Sequence, residues 1–507
     1  MNNAISIIRN FMNEQGLNFL LINSTNKYLV EYAPLEENSR YFLTGFSGST
    51  GDALVTPDKI YLFVDGRYHI QADLEVNHDI IDIVKLQTGQ NFLDELVKKI
   101  PQGEILGIFS KKNSQKRVEY LQNKNVNLKL LNFDPLDKNI EYDNSNIVVV
   151  DGVSVEEKIK NINYDGAVLI TNLEEVSYLF NLRDFSKNYS SKIQGKAVIL
   201  NGRARLLEDI DDFVESYQGN IFVDKSTINA YDFNLIGDKV KILENSPIML
   251  MKSIKTDEEI EHYKKAFEKT DKAIKAIREF IENNDNISEF DIAEQLEKEF
   301  KKYGAKSLSF KSIVAKDKNS ALAHYSKCSK DEIIKDGSLV LIDCGAYYEQ
   351  GLATDITRVF VKGEPSELQK KVYTTVLKMF LNAYNFNSAQ NGYEIDDLAR
   401  KIYSENIIEG FEFNHGLGHG IGVSVHEYPP NLSKNELAKV EIKDNMCFTI
   451  EPGLYNEKYF GVRLENSCYK KDGKIHSFVK MNYEKKLIDF SLLNDIEKEW
   501  LKEFEVL

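Results

Sequence analysis

Apolar and polar positions follow three successive textures along the 507-residue chain. Up to about residue 135, apolar runs of strand length are separated by helical stretches. A helical opening from Ile5 to Gln15 precedes a strand at Phe19 to Ile22, and DALVTP and IYLFVDG then form a strand pair turned through Pro57 and Asp58. This pattern predicts an α/β unit. A polar stretch, DPLDKNIEYDNSN, leads to a new start at Val148 to Val150, and the order returns: a helix near Val155 to Ile162, the strand GAVLIT, then KAVIL, a turn at Asn201-Gly202, and ARLLE. Two copies of one plan are expected, with the boundary near residue 140. Domains therefore read as 1–140, 141–250 and 251–507. Long amphipathic helices dominate from residue 250. Thr256 with Glu259 forms a capping box, after which Ile260, Tyr263, Phe267, Ile274, Ile277 and Ile281 recur at helical spacing. A second helix begins at Ser288, carries Ile292, Leu296 and Phe300, and stops at Gly304.

The third segment contains a repeat. SEFDIAEQLEKEFKKYG is answered by GYEIDDLARKIYSENI, and KDGSLVLIDCG by KDNMCFTIEPG, each of the latter leading into a hairpin whose return strand carries another acid. Asp336 pairs with Asp444 and Asp343 with Glu451, each 108 residues apart, while Asp355 pairs with Glu465 at 110. Each copy of a helix-helix-sheet unit thus supplies two carboxylates. An acid that ends a buried run such as LVLI is costly to desolvate unless it is paired or holds a cation. Pairing with Arg358 or Arg463 is the alternative reading for any one acid. Four in matched register, converging about a pseudo-twofold axis, instead call for positive charge at their meeting point.

Of eight histidines, four stand at His324, His415, His419 and His426, the last three inside HGLGHGIGVSVHE, where the glycines free the backbone for close approach. His69, His78, His262 and His476 read as ordinary core or surface groups. Four carboxylates with one imidazole form a hard, oxygen-rich donor set that favours manganese or a similar divalent ion, with zinc and cobalt as alternatives.

Composition narrows the class. Hydrophobic residues are 42% and charged residues 28%, as in folded globular proteins, and no apolar run reaches the roughly 20 residues of a spanning helix. The opening MNNAISIIRN carries no leader pattern. Lys+Arg 64 against Asp+Glu 79 gives 64 − 79 = −15, which opposes binding to nucleic acid or an anionic membrane. Cys328, Cys344, Cys447 and Cys468 are widely spaced with no CxxC pair, so a reducing, cytoplasmic compartment is expected.

LIDCGAYYEQGLATDITR, HGLGHGIGVSVHE, TIEPGLY and GVRLEN together resemble the M24 metallopeptidases of the pita-bread fold, and within them the three-domain, cytosolic Xaa-Pro aminopeptidases (aminopeptidase P). RYFLTGFSGSTG and VDGRYHIQAD are similar to the first domain of that type, EEVSYLFNLR to the second, and LIDFSLLNDIEKEWLKEF to its tail. The resemblance implies two creatinase-N-like α/β domains followed by a pita-bread catalytic domain, an α/β (α+β) fold overall. It implies that Asp343, Asp355, His419, Glu451 and Glu465 hold two divalent metal ions, most naturally Mn²⁺. His324, His415 and His426 are implied to contact substrate and support the transition state, and Arg463 to stand beside the last ligand, behind the metals or facing substrate. The implied reaction is removal of the N-terminal residue before proline by a metal-bridging hydroxide, with Glu451 moving the proton. Two departures stand out: a hairpin from Asp343 to Asp355 one residue longer than usual, and NLRDFSKNYSSK in place of a glycine after the arginine, at the middle domain's expected homodimer contact. A prolidase-like Xaa-Pro dipeptidase and a catalytically silent peptide-binding module are the alternatives. A metal-free creatinase-like enzyme fits less well, because all five ligand positions are filled. Trp500 reads as a packing anchor of the tail.

Overall fold

The computed structural model describes residues 2–87, 89–138, 140 and 145–504, so part of the expected boundary near residue 140, namely 139 and 141–144, lies outside the described residues. The chain divides into two compact units. The first comprises Met1–Ser145, Val153–Leu182 and Ile193–Ile248, and the second Asn146–Gly152, Arg183–Lys192 and Met249–Leu507. Residues 146–152 and 183–192, read from sequence as part of the middle domain, thus group with the second unit. Among the described residues no helix is long and apolar enough to cross a membrane.

Two sheets build the first unit. One has six strands in the order Ile81–Lys85, Ile60–Val64, Ala53–Val55, Phe19–Ile22, Ile105–Phe109, Asn127–Leu131. The other has five, in the order Arg203–Leu207, Lys196–Leu200, Ala167–Ile170, Ile221–Asp224, Val240–Leu243. In both, the first strand in sequence pairs antiparallel with the next and parallel with a later one, so the second sheet is the first without its outermost strand. The repeated plan read from the sequence is therefore real. The strand Ile147–Val149 stands outside the five-stranded sheet, and the helix expected to Ile162 is a short one, Val155–Ile159.

The second unit holds the larger core. The helix Asp257–Asn283 starts on the Thr256–Glu259 capping box and buries the predicted stripe of Ile260, Tyr263, Phe267, Ile274, Ile277 and Ile281. Glu289–Lys302 follows on a second box at Ser288. These helices lead into the antiparallel strands Ile313–Lys316, Leu339–Cys344 and Ile356–Val361. The helices Glu367–Tyr384 and Gly392–Ser404 then repeat the order, leading into Gly418–Gly420, Cys447–Ile450 and Asn466–Lys471. The strand that carries Asp343 lies at the centre of three, and Cys447–Ile450, which runs into Glu451, at the centre of five. Trp500, on the tail helix Asp495–Leu501, packs half-buried against this core.

Candidate metal centre

The centre forms where the two halves meet. Asp343 lies near the end of the buried strand Leu339–Cys344, and Asp355 immediately precedes the returning strand Ile356–Val361. In the other half, Glu451 follows Cys447–Ile450 and Glu465 precedes Asn466–Lys471. Equivalent hairpins therefore deliver equivalent acids. The halves are stitched at this level: the Glu465 backbone N–H donates to Thr357 O (3.2 Å), the Arg358 guanidinium to Glu465 O (2.7 Å), and the Thr357 hydroxyl to Glu465 Oε2 (2.8 Å).

His419 enters from the strand Gly418–Gly420. A Cβ on Gly418 would stand 2.0 Å from Thr449 O, so the absence of a side chain there lets this strand lie against the one carrying Glu451. Nδ1 of His419 donates to Gly420 O (3.0 Å), which leaves the Nε2 lone pair pointing at the acids, 3.6 Å from Asp355 Oδ2 and 3.4 Å from Glu451 Oε1. One ligand atom each from Asp355, His419 and Glu465 lies within 4.8 Å of the others.

Three carboxylate oxygens here, Asp343 Oδ1, Asp355 Oδ1 and Glu465 Oε1, are buried without a hydrogen-bond partner. Each such atom ordinarily costs about 1–3 kcal/mol. Burial pushes the Asp355 carboxyl well above the usual carboxylate range, and the charges of Glu465, Asp343 and Glu451 add to the shift. Glu465 rises likewise, from burial first and then from Glu451 and Asp343. Orphaned acceptors, mutual repulsion and an imidazole lone pair aimed at the same point are the complement of hard divalent cations, so the residues fit the metal pair.

Arg463 is tied to the acids rather than turned to a substrate. Its guanidinium donates to Asp343 Oδ2 (2.5 Å), to Thr357 Oγ1 (3.1 Å) and to Tyr455 Oη (2.7 Å). The Tyr455 hydroxyl in turn donates to His415 Nε2 (2.9 Å), whose Nδ1 donates to Gly416 O (2.7 Å). Both ring nitrogens of His415 are thus bonded inside the protein, one of them through Tyr455 to Arg463. Tyr455 was not legible from sequence. Thr357 and Thr449 could have been found, since each stands two residues from an acid, on the same strand face. Tyr455→Phe breaks the link between His415 and Arg463 while keeping the ring; a fall of about tenfold in kcat/KM with unchanged metal content is the expected outcome.

His426 stands with its ring 4.3 Å from that of His419. His324, half-buried, lies on the segment after Asp317–Ala321. The buried Glu289 organises that segment by accepting from Lys316 N (2.7 Å), Asn319 Nδ2 (2.9 Å), Tyr325 Oη (2.7 Å) and Ser329 N (3.2 Å). Ser320 locks it to Gly461, two residues before Arg463.

Such a centre, where acids from two similar halves meet a histidine, is that of a metal-dependent hydrolase. Residues 261–471 match the model of metallopeptidase family M24, and residues 5–140 that of the Creatinase/Prolidase N-terminal domain. The chain thus carries a metallopeptidase family M24 domain behind a Creatinase/Prolidase N-terminal domain. It is 27% identical to a "Probable Xaa-Pro aminopeptidase P" of Coprinopsis cinerea, over 99% of this chain and 93% of that protein. It is also 27% identical to "Xaa-Pro aminopeptidase 1" of Dictyostelium discoideum, over 98% of this chain and 91% of the relative. Among solved structures, an X-prolyl aminopeptidase from Caenorhabditis elegans, described as a cytosolic enzyme with a di-nuclear active site, superposes with a TM-score of 0.86 at 21% identity, covering 96% of this chain and 90% of that one. That likeness shows the fold.

Proposed function

We propose that this chain is a metal-dependent aminopeptidase that removes the N-terminal residue from peptides with proline in second position. The observation that carries this reading is the set of orphaned, buried acid oxygens around His419 Nε2, inside a chain whose full-length relatives carry Xaa-Pro aminopeptidase names. Asp343, Asp355, His419, Glu451 and Glu465 hold the two ions, and the hard donor set favours manganese. When bound, such ions acidify water and polarise a carbonyl. The rest of the chemistry belongs to the side chains. Glu451 Oε1, which accepts from the Thr449 hydroxyl (3.4 Å), takes the proton of the attacking water and returns it to the proline nitrogen as the C–N bond breaks. His426 and His324 donate to the carbonyl oxygen as it gains charge. Arg463, braced by Tyr455 and His415, holds Asp343 in place.

The reading includes domains at 1–140, 141–250 and 251–507, cytoplasmic residence, supported by four cysteines that are free thiols, and a homodimer, which rests on the resemblance alone. Nucleic acid and membranes are not partners, in keeping with the net charge of −15. Mass spectrometry of Xaa-Pro-Xaa, Xaa-Ala-Xaa, Met-Ala-Xaa and Xaa-Pro peptides, incubated with the Mn²⁺-loaded protein and a chelated control, tests it. Release of the first residue only before proline, from tripeptides and longer, and only with metal, is the expected result. Cleavage confined to the dipeptide makes the enzyme a prolidase; no cleavage with two metals bound makes it a peptide-binding module.

A further inference from the structure

The stretch between His419 and His426 rests on a buried carboxylate that the chemistry above does not use. Oε1 of Glu427 accepts from the backbone N–H of Val423 (2.6 Å) and of Ser424 (3.4 Å), and Oε2 lies 3.1 Å from the Lys252 ammonium and 3.4 Å from that of Lys255. All three charged side chains are buried. Burial alone raises the Glu427 carboxyl, but the two ammoniums outweigh it and hold the group down at about 2. A Cβ on Gly422 would stand 2.2 Å from this carboxylate, so only a bare backbone leaves room for it. The other side of the turn is clamped as well: the Ser191 hydroxyl donates to Val423 O (3.1 Å), and the Lys192 ammonium to Ser424 Oγ (2.5 Å). A buried ion triad adds little stability over apolar residues of the same volume, so its worth lies in what it fixes in place.

What it fixes is the turn that ends at His426. We propose that Glu427 is a positioning residue of the catalytic centre: by capping Val423 and Ser424 from beneath, it sets the turn 421–426 and holds the His426 imidazole against His419. This rests on the peptidase reading above. The test separates the acceptor oxygen from the charge. In the full chain loaded with Mn²⁺, Lys252→Met/Lys255→Met/Glu427→Gln removes every charge but keeps an acceptor for Val423 N–H, whereas the same background with Glu427→Met removes both. The first is expected to keep kcat within about threefold of the unaltered enzyme, and the second to lose about 100-fold in kcat with KM nearly constant. In a His426→Ala background the second loss should shrink to about threefold or less. Equal activities of the two triple variants, or a full loss that persists without His426, overturns the proposal. Gly422→Ala, whose methyl would stand 2.2 Å from the carboxylate and displace it, supplies the same test should the methionine variant not fold. The ¹H–¹³C imidazole signal of His426, recorded on the full chain in chelator because paramagnetic Mn²⁺ would broaden it, gives a readout free of turnover: it moves in the methionine variant and stays in the glutamine one. An unmoved signal overturns the positioning role, while a protein inactive on every proline peptide overturns the peptidase reading and leaves this signal to decide.

Discussion

Glu451→Gln is expected to lower kcat by about 10⁴-fold on an Xaa-Pro-Xaa tripeptide while leaving the fold intact. The amide has the shape of the acid, still accepts from the Thr449 hydroxyl, and still follows the strand Cys447–Ile450 through the Glu451 N–H to Leu417 O bond (2.8 Å). What it lacks is the negative charge that would hold a cation and the basic oxygen that would take a proton. Because both losses fall on one atom set facing His419 Nε2, the effect should appear in kcat rather than in KM. Steady-state kinetics beside a thermal melt provide the check. An undiminished kcat would remove Glu451 from proton transfer, whereas a collapsed melt would place the residue in the structure of the hairpin instead.

Repetition is why the acids could be read before the fold was known. Asp343 and Glu451 end buried runs of the same length, and the hairpins that follow return Asp355 and Glu465, so the register alone brought four carboxylates to one level. The opening strands of both sheets of the first unit, Phe19–Ile22, Ala53–Val55 and Ile60–Val64 in one and Ala167–Ile170, Lys196–Leu200 and Arg203–Leu207 in the other, were legible because the order recurs, whereas the later strands of each sheet were not read. The brace behind the metals was not legible. Tyr455 meets Arg463 only because Gly453–Tyr455 pairs antiparallel with Gly461–Arg463, and the direction of the His415 ring depends on a bond to its neighbour's carbonyl that no spacing rule predicts. That residues 183–192 group with the second unit was not legible for a related cause. They join the second unit through side chains reaching distant carbonyls, as Ser191 does at Gly351 O (2.7 Å) and Val423 O, and such contacts leave no periodic trace in sequence. The bonds that both His415 nitrogens make inside the protein were not legible either, since a histidine beside glycines reads as exposed to a ligand.

Metal and pH act on stability in opposite directions, and the sign follows from the raised carboxyls. With the metals removed, Asp355 and Glu465 hold protons well above the pH at which an unfolded carboxylate, with its pKa of about 4, has lost its own. The folded chain then binds more protons than the unfolded one, so its stability falls as pH rises above about 4, by up to about 1.4 kcal/mol per pH unit for each proton retained. With metal bound, the same oxygens must be ionised, protons compete with the cations, and stability is lost as pH falls instead. Excess Mn²⁺ at about 1,000 times its dissociation constant adds about 4 kcal/mol at a pH where the ligands are free. Denaturation in Mn²⁺ and in chelator, followed from pH 5 to 8 at intervals of about half a unit, should therefore give two curves whose separation widens with pH. Asp355→Asn combined with Glu465→Gln removes both titrating groups and should flatten the chelated curve relative to the unaltered chain. Parallel curves with a constant gap would mean that the acids do not exchange protons for metal, and that the repulsion among Asp343, Asp355, Glu451 and Glu465 is relieved by some route other than a bound cation.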